Sequence, residues 1–458
     1  MDTMSKRIET KPASVSERTK QAGETNQLKR WVERYVWTNR MLETLVTGVK
    51  GRKWFSLIDK VYDKGNLERA FRKVRANRGA AGVDHVTVEI FEKRLEKELT
   101  LCHKKLKQGK YQPREILRAF IEKLGSKEKR PLGIPCVRDR VIQTGLRQVI
   151  EPIFEVGFGE HSYGFRPKRG CKDALKRVNR LVRKEGRRWI LDADIRSYFE
   201  TINHERLMEL IAEKISDGQI LELIRRFLTQ PVLEVLRTWT PEDGCPQGSV
   251  ISPLLANIYL DPLDQMLTQK GYEWVRYADD LVVICETEEE AQECLVEMEA
   301  WMTEMGLALH PEKTKIVDIR HPNAQFEFLG YRFQTSRRRF PVIQRFPRRK
   351  SEKKFRTSVK ILTKRNNGHS MEGIIARINP ILRGWYTYFK HCNKYVYPEM
   401  DGWVRMRLRS ILRKRQKKKG RGRGSDHQRW PNIHFHRLGL FSMTENRRRD
   451  YNAAKGTH

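Results

Sequence analysis

The stretch "EWVRYADDLVVIC", residues 273–285, places Asp279 and Asp280 side by side between two apolar segments. The aromatic and β-branched residues on both sides predict two strands of a hairpin with the aspartates at its tip. Two adjacent carboxylates raise each other's pKa and destabilise a fold unless positive charge lies beside them. Mg²⁺ supplies that charge, binds carboxylate oxygens and keeps coordination positions for phosphate. The pair therefore indicates a metal site, with an ordinary polar turn as the alternative.

One hairpin cannot surround two metal ions, so a further carboxylate is expected from another strand. "RWILDADI", residues 188–195, has the pattern of a strand, and alternation places Asp192 and Asp194 on the same face. Three carboxylates on neighbouring strands can hold two ions for in-line phosphoryl transfer. The spacing alone leaves both Asp192 and Asp194 as candidates for the third carboxylate.

The charge of the chain indicates the class of partner. The 458 residues include 92 Lys and Arg against 57 Asp and Glu, a net charge of +35, while the hydrophobic fraction of 38% is compatible with a folded core. A folded protein this basic normally binds a polyanion, because each neutralised phosphate releases a counterion. A generally solubilising surface is the alternative, but solubility does not need so large a charge. Nucleic acid is the predicted partner.

The cysteines and the apolar segments restrict the remaining classes. The seven cysteines include no CxxC pair, which argues against a zinc ribbon or zinc finger and fits a reducing cytosol. The longest apolar runs fall short of the roughly 18 residues of a membrane span, and the polar N-terminus lacks the apolar region of a secretion signal. We expect no membrane association, and we expect residues 1–26 to be disordered.

The periodicity predicts a mixed α/β (α+β) core followed by a basic helical half. "ILRAFIEKLGSKEKRPLGIP" is predicted to be a hairpin, residues 116–135. Helices are predicted over much of 27–74 and at 87–111, 137–158, 172–186, 204–228, 252–269, 288–305 and within 351–414.

Five ordered motifs resemble those of the reverse transcriptase family, and within it the group II intron-encoded reverse transcriptase/maturases of bacteria. The motifs are "RPLGIPCVRDRVIQ" (130–143), "SYGFRPKRG" (162–170), "DIRSYFETINH" (194–204), "GCPQGSVISPLLANIYL" (244–260) and "YADD" (277–280). The resemblance implies a right-hand polymerase with fingers and palm, followed by an α-helical thumb/maturase domain. The domains it implies are a partly disordered N-terminal extension (1–55), fingers (56–187), palm (188–340), helical thumb/maturase domain (341–415) and basic tail (416–458).

The resemblance also assigns roles to residues. It selects Asp194 over Asp192, so that Asp194, Asp279 and Asp280 are the catalytic residues and bind two Mg²⁺ ions, for which Mn²⁺ can substitute. The implied nucleotide-binding residues are Lys123, Arg130, Phe199, Gln247, Gly248 and Lys313. Phe199 would collide with a ribonucleotide 2′-hydroxyl, and "FEFLGYRF" (326–333) resembles the primer grip. Lys127 and Lys129 compete with Lys123, Tyr198 with Phe199, and Lys315 with Lys313.

The basic half resembles the thumb/maturase domain of intron-encoded members at "INPILRGWYTYFKHCN" (378–393) and "MDGWVRMRLRSILRKR" (400–415). Asn379-Pro380 is predicted to open a helix, because proline suits a first helical turn. The expected RNA-binding residues are Arg383, Lys390, Arg413, Lys414, Arg415, Lys417, Lys418, Lys419, Arg421 and Arg423. His434 and His436 lack further metal-binding neighbours in the sequence and are interpreted as structural.

The function implied is RNA-directed DNA synthesis coupled to intron RNA binding, splicing assistance and retrotransposition. The expected partners are an RNA template, intron RNA, a DNA primer or target and dNTPs, in the bacterial cytosol or nucleoid, for a monomer or homodimer. No nuclease domain with Cys and His residues follows the last motif, so the primer is expected to come from another source. The alternatives are a CRISPR-associated or domesticated reverse transcriptase, and a non-catalytic splicing maturase.

Overall fold

The computed structural model describes residues 28–49, 53–122, 129–234, 237–321, 324–336, 343–422 and 424–455. The whole segment predicted to be disordered, residues 1–26, lies outside these ranges, as do Lys123, Lys127 and Arg423. The helices are α1 (Asn39–Thr47), α2 (Ile58–Tyr62), α3 (Lys64–Ala76), α4 (Val88–Lys93), α5 (Leu95–Lys107), α6 (Val137–Glu155), α7 (Cys171–Arg183), α8 (Tyr198–Thr201), α9 (His204–Ala212), α10 (Gly218–Leu228), α11 (Ser252–Gln269), α12 (Glu288–Glu304), α13 (Arg349–Leu362), α14 (Met371–Phe389), α15 (Val396–Arg415), α16 (Ser425–Arg429), α17 (Asn432–Arg437) and α18 (Met443–Lys455). The strands are β1 (Ile116–Glu122), β2 (Lys129–Ile134), β3 (Trp189–Asp194), β4 (Val232–Glu234), β5 (Arg237–Trp239), β6 (Trp274–Tyr277), β7 (Asp280–Cys285), β8 (Lys315–Asp318), β9 (Gln325–Phe328), β10 (Tyr331–Thr335) and β11 (Ile343–Pro347).

A four-stranded antiparallel sheet, which we call the palm sheet, lies at the centre in the order β6-β7-β3-β8. Its residues alternate between two separate hydrophobic cores, because successive side chains of a strand point to opposite faces. Leu191 and Val283 pack in the first core, with the N-terminal helices. Ile190 and Val282 pack in the second core, with the C-terminal helices. Burial on both faces explains the nearly continuous apolar run of β7.

A second four-stranded sheet has the order β2-β1-β4-β5. Its antiparallel β1–β2 pair, with Leu117 opposite Ile134, confirms the hairpin predicted at 116–135. The short β4–β5 hairpin within "PVLEVLRTW" was not predicted, and β4 extends the sheet by pairing in parallel with β1. The third sheet, β11-β10-β9, contains the "FEFLGYRF" segment as two strands joined through Leu329 and Gly330.

Two predicted helices are interrupted. The helix predicted at 204–228 is two helices, since Asp217 caps α10 by accepting hydrogen bonds from the N–H groups of Gln219 and Ile220. The other carboxylate oxygen of Asp217 accepts from Leu57 N at 2.6 Å, which ties the break to the N-terminal segment. The helix predicted at 87–111 breaks at Arg94, which leaves the helical backbone with φ −118°.

The predicted helix start at Asn379-Pro380 is wrong. Pro380 lies inside α14, which begins one residue after its N-cap Ser370. The Asn379 side chain instead donates to Gly439 O at 2.8 Å and accepts from Phe441 N, so it joins α14 to the end of the chain. Asn379 therefore forms hydrogen bonds with a distant part of the chain instead of capping a helix. Apolar side chains of this helix, including Leu382 and Phe389, are buried in the second core.

The segment expected to be a basic tail is folded over residues 425–455. Phe435 and Met443 are buried in the second core, and the buried Asp401 of α15 accepts bonds from the N–H groups of Met443 and Thr444. None of the helices in the described part of the chain combines the length and the hydrophobicity of a transmembrane segment.

Candidate active site

The catalytic-hairpin candidate forms as predicted. Strand β6 ends at Tyr277 and β7 begins at Asp280, so Ala278 and Asp279 make a two-residue turn. Asp280 lies directly opposite Asp194 in the β3–β7 register. The structure thus brings Asp194, Asp279 and Asp280 to one end of the palm sheet.

Burial and mutual repulsion perturb the carboxylates at this sheet. Although the Asp280 side chain is exposed, desolvation by the surrounding protein, followed by the charge of Asp279, raises the pKa of Asp280 to about 6, while Arg348 opposes the shift. Burial also raises the pKa of Asp192 to about 7, although Lys315 lies 4.0 Å from its carboxylate. A site in which adjacent carboxylates are this costly to ionise favours a bound cation.

Lys313 forms an ion pair with Asp194, with 2.7 Å between Nζ and Oδ2. The main chain holds this arrangement, since His310 N donates to Asp194 O at 2.7 Å. Lys313 rather than Lys315 therefore lies beside the proposed metal ligand. Across the described residues, no three His, Cys, Asp or Glu side chains already form a metal-binding cluster. The donor set still fits Mg²⁺, because it consists of carboxylates from two adjacent strands and from the turn that precedes one of them.

A cavity of about 900 Å³ opens beside Asp279 and Asp280. Phe199, Gln247 and Gly248 line it, as does Phe165. Tyr198 points away: its side chain is 2% exposed and its hydroxyl donates to Ala256 O. The geometry therefore places Phe199, and not Tyr198, at the cavity.

The loop that carries Gln247 and Gly248 packs closely on β2. Gly133 N donates to Gln247 O at 2.6 Å. Gly248 has φ +110°, and a Cβ there would lie 2.1 Å from Gly133 O. Only glycine fits both the backbone conformation and this approach, so the loop position depends on Gly248.

The structure describes only part of the two cationic residues predicted to bind the triphosphate from the β1–β2 hairpin. Lys123 lies outside the described residues, and Arg130 is described through its backbone, which pairs with Ile121 in the β1–β2 hairpin. Their predicted contacts with nucleotide stay predictions.

A basic wall of the cavity was missed from the sequence. Arg348, Lys350 and Lys354 line it from the start of α13, facing the same space as Asp279 and Asp280. The charge run "RRKSEKK" was a possible signal, but nothing in the pattern placed it near the hairpin.

The C-terminal basic cluster divides into exposed and bonded side chains. Lys414, Lys417, Lys418, Lys419 and Arg421 are exposed. Arg413 is instead half-buried, pairs with Asp426 at 2.7 Å and donates to Lys419 O at 2.8 Å. Arg415 is exposed as well, but its guanidinium donates to His369 O.

The other residues proposed for RNA lie elsewhere on the helical half. Arg383 is exposed, with its guanidinium 4.8 Å from the centroid of the Phe441 ring, and Lys390 is half-buried at the end of α14. His436 pairs with Glu445 at 3.1 Å, which fits the structural interpretation of this histidine.

Comparison with known proteins adds two family matches. Residues 121–333 match the family described as reverse transcriptase (RNA-dependent DNA polymerase), and residues 352–430 match the maturase-specific domain of group II introns. The chain is 33% identical to protein YkfC of Escherichia coli strain K12, over 62% of this chain and 85% of that protein.

It is also 39% identical to the group II intron-encoded protein LtrA of Lactococcus lactis, over 46% of this chain but 35% of that protein. Thus the match spans about a third of the length of LtrA. Among solved structures, a chain of a partial Cas6-RT-Cas1–Cas2 complex is 21% identical, with a TM-score of 0.33, over 54% of this chain and 41% of that one. At that score the likeness carries no argument.

Proposed function

Because the chain belongs to the family of group II intron-encoded reverse transcriptase/maturases, we propose that it copies RNA into DNA and also binds its intron RNA, assisting splicing and retrotransposition. The single observation that carries the catalytic part is the cross-strand pairing of Asp194 with Asp280, beside Asp279 and the cavity. The basic exposed surface of the helical half supports the RNA-binding part.

Asp194, Asp279 and Asp280 would hold two Mg²⁺ ions, with Mn²⁺ as a substitute. Such ions, when bound, favour ionisation of a primer 3′-hydroxyl and neutralise charge on the leaving pyrophosphate. The protein's own contribution begins with the rigid register of β3 and β7, which keeps the carboxylates at one edge. Lys313 lies beside Asp194 and can donate to a phosphate oxygen.

The cavity lining accounts for nucleotide selection. The Phe199 ring faces the cavity and would collide with a 2′-hydroxyl, which favours deoxynucleotides. Gln247 supplies a donor and an acceptor beside the base pair. Gly248 has no side chain, so the nucleotide can approach the backbone. Lys123 and Arg130 would add positive charge for the triphosphate.

The partners proposed are an RNA template, the intron RNA, a DNA primer or target and dNTPs, in the bacterial cytosol. The exposed cations near residues 414–421, with Arg383 and Lys390, would contact the intron RNA through phosphates.

The test is primer extension on an RNA template with Mg²⁺ and dNTPs. Asp279→Ala and Asp194→Asn should each reduce DNA synthesis by several orders of magnitude without lowering thermal stability. Removing a like charge relieves repulsion, and the solvent-accessible pair of Asp194 with Lys313 contributes little to stability. Asp192→Asn is the matched control, because this residue shares the strand and face of Asp194 but is not a proposed ligand. It should keep activity near that of the wild type.

Substantial synthesis by Asp279→Ala or Asp194→Asn would refute the site. Splicing of the intron RNA should persist in Asp279→Ala, because RNA binding does not need the carboxylate. If the wild type assists splicing and does not extend primers, the non-catalytic maturase is the correct function.

A further inference from the structure

Arg276 precedes Tyr277 at the start of the catalytic turn, and its side chain is fully buried. It forms an ion pair with Asp264 of α11, and both side chains are 0% exposed. Arg276 Nε donates to Asp264 Oδ1 at 2.8 Å, and Nη2 bonds the second carboxylate oxygen. A bidentate arrangement of this kind fixes the plane of the guanidinium.

The remaining nitrogen of the guanidinium reaches the turn itself. Arg276 Nη1 donates to Ala278 O at 3.0 Å and to Asn257 Oδ1 at 3.0 Å. Asn257 and Asp264 lie two turns apart on one face of α11, so one helix contacts the guanidinium at two points. The Asn257 side chain also donates to Gly164 O at 2.8 Å.

The turn needs such support because the backbone conformation of one of its two residues is energetically unfavourable. Ala278 has φ +57°, a conformation that residues with a Cβ rarely adopt and that hairpin turns usually give to glycine. From the other side, Gly164 approaches so closely that a Cβ on it would lie 2.2 Å from Ala278 N. Arg276 and Gly164 thus hold the turn between them.

We propose that Arg276 is a positioning residue for Asp279 and Asp280, acting through its bond to Ala278 O. Asp264 fixes the guanidinium, and Asn257 connects it to the Gly164 segment. The orientation of the turn relative to Asp194 then depends on this buried group rather than on the turn sequence alone. The inference rests on the proposed polymerase function for its activity readout.

The competing interpretation is that the buried pair only stabilises the fold. Replacing Arg276 alone would leave a buried unpaired carboxylate, which destabilises strongly and cannot separate the two interpretations. Replacing both charges by apolar residues of similar volume is often neutral or stabilising. The double variant Arg276→Met with Asp264→Leu therefore keeps the core filled but removes the donor to Ala278 O.

The double variant should stay folded, with a melting temperature somewhat below that of the wild type, because Ala278 O and Asn257 Oδ1 lose their donor. The turnover number for primer extension should fall by about 10- to 100-fold, since small displacements of catalytic groups have effects of this size. The Mg²⁺ concentration for half-maximal activity should rise, while the KM for primer–template stays unchanged. Mn²⁺ binding measured by electron paramagnetic resonance, without substrate, should weaken in parallel.

A second variant guards against misfolding of the first. Asn257→Ala keeps the ion pair and removes one bond that holds Arg276 Nη1, together with the link to Gly164. It should show a smaller shift in the same direction, about 3- to 10-fold in turnover. Asn257→Ala with wild-type Mn²⁺ binding and turnover overturns the proposal, as does a folded double variant with wild-type values. Inactive wild-type protein would instead refute the polymerase function, and the Mn²⁺ titration would still test the positioning.

Discussion

The exposed cations at the end of α15 offer a quantitative test of RNA binding. The perturbation neutralises Lys417, Lys418, Lys419 and Arg421 to Gln, because these four side chains are exposed. Arg413 is left unchanged because it pairs with the buried Asp426, and its loss would disturb folding. Arg423 lies outside the described residues and is also unchanged.

The size of the effect follows from counterion release. If all four cations contact phosphates, the log–log slope of affinity against salt should flatten by roughly 2.8 on single strands to 3.6 on duplex regions. Between about 50 and 200 mM salt, the wild type should therefore lose about 50- to 150-fold more affinity than the variant. Fewer contacts would reduce the change in proportion.

The assay is filter binding of the intron RNA across salt, alongside primer extension and splicing with the same protein. Primer extension at saturating template should persist, and splicing assistance should fall. The matched control exchanges the three lysines for Arg and Arg421 for Lys, which keeps every charge and should keep the slope. An unchanged slope in the neutralised variant would refute the assignment of these four cations to RNA. The candidates would then be the cations left unchanged, Arg383, Lys390, Arg413, Lys414, Arg415 and Arg423.

Three further substitutions test other features. Phe199→Ala should increase ribonucleotide incorporation relative to deoxynucleotide in competition assays; unchanged selectivity with lower stability would make the ring merely part of the core. Phe165→Gly should change the free energy of unfolding by no more than about 1 kcal/mol relative to the wild type. Glycine relieves the strain of the left-handed backbone at this position (φ +59°), and this gain offsets the greater freedom of glycine in the unfolded chain. Primer extension should fall because this 46% exposed ring lines the cavity; full activity would rule out substrate contact. Burial raises the pKa of Asp139 to about 6, so between about pH 4 and 6 this carboxyl binds a proton more fully in the folded protein than in the unfolded chain. The free energy of unfolding should therefore fall as the pH rises through that range. Asp139→Asn should flatten that decline in denaturation curves, and an unchanged pH profile would contradict the burial argument.

The hairpin that carries Asp279 and Asp280 was predictable because its signal is local. Apolar blocks on both sides of Asp279 and Asp280 specify two strands and a turn, and alternation put Asp192 and Asp194 on one face. The choice of Asp194 needed the family resemblance, and the structure then paired it with Asp280.

What the sequence did not predict depends on contacts distant along the chain. Asp217 breaks a predicted helix because it also binds Leu57, 160 residues away. Asn379 resembled a cap, but its partners are Gly439 and Phe441. The Arg276 pair was invisible for the same reason: nothing local distinguishes a buried arginine in a strand from an exposed one.

The second core has a consequence for how this protein can change over evolution. Ile190 and Val282 of the palm sheet share that core with residues of α14 and α15, such as Leu382 and Leu408. A chain cut after the palm would expose one whole face of the sheet that carries the aspartates. The two activities are therefore inherited together as one folding unit. Descendants that abandon DNA synthesis should do so by point substitution at the carboxylates, while keeping both halves of the chain.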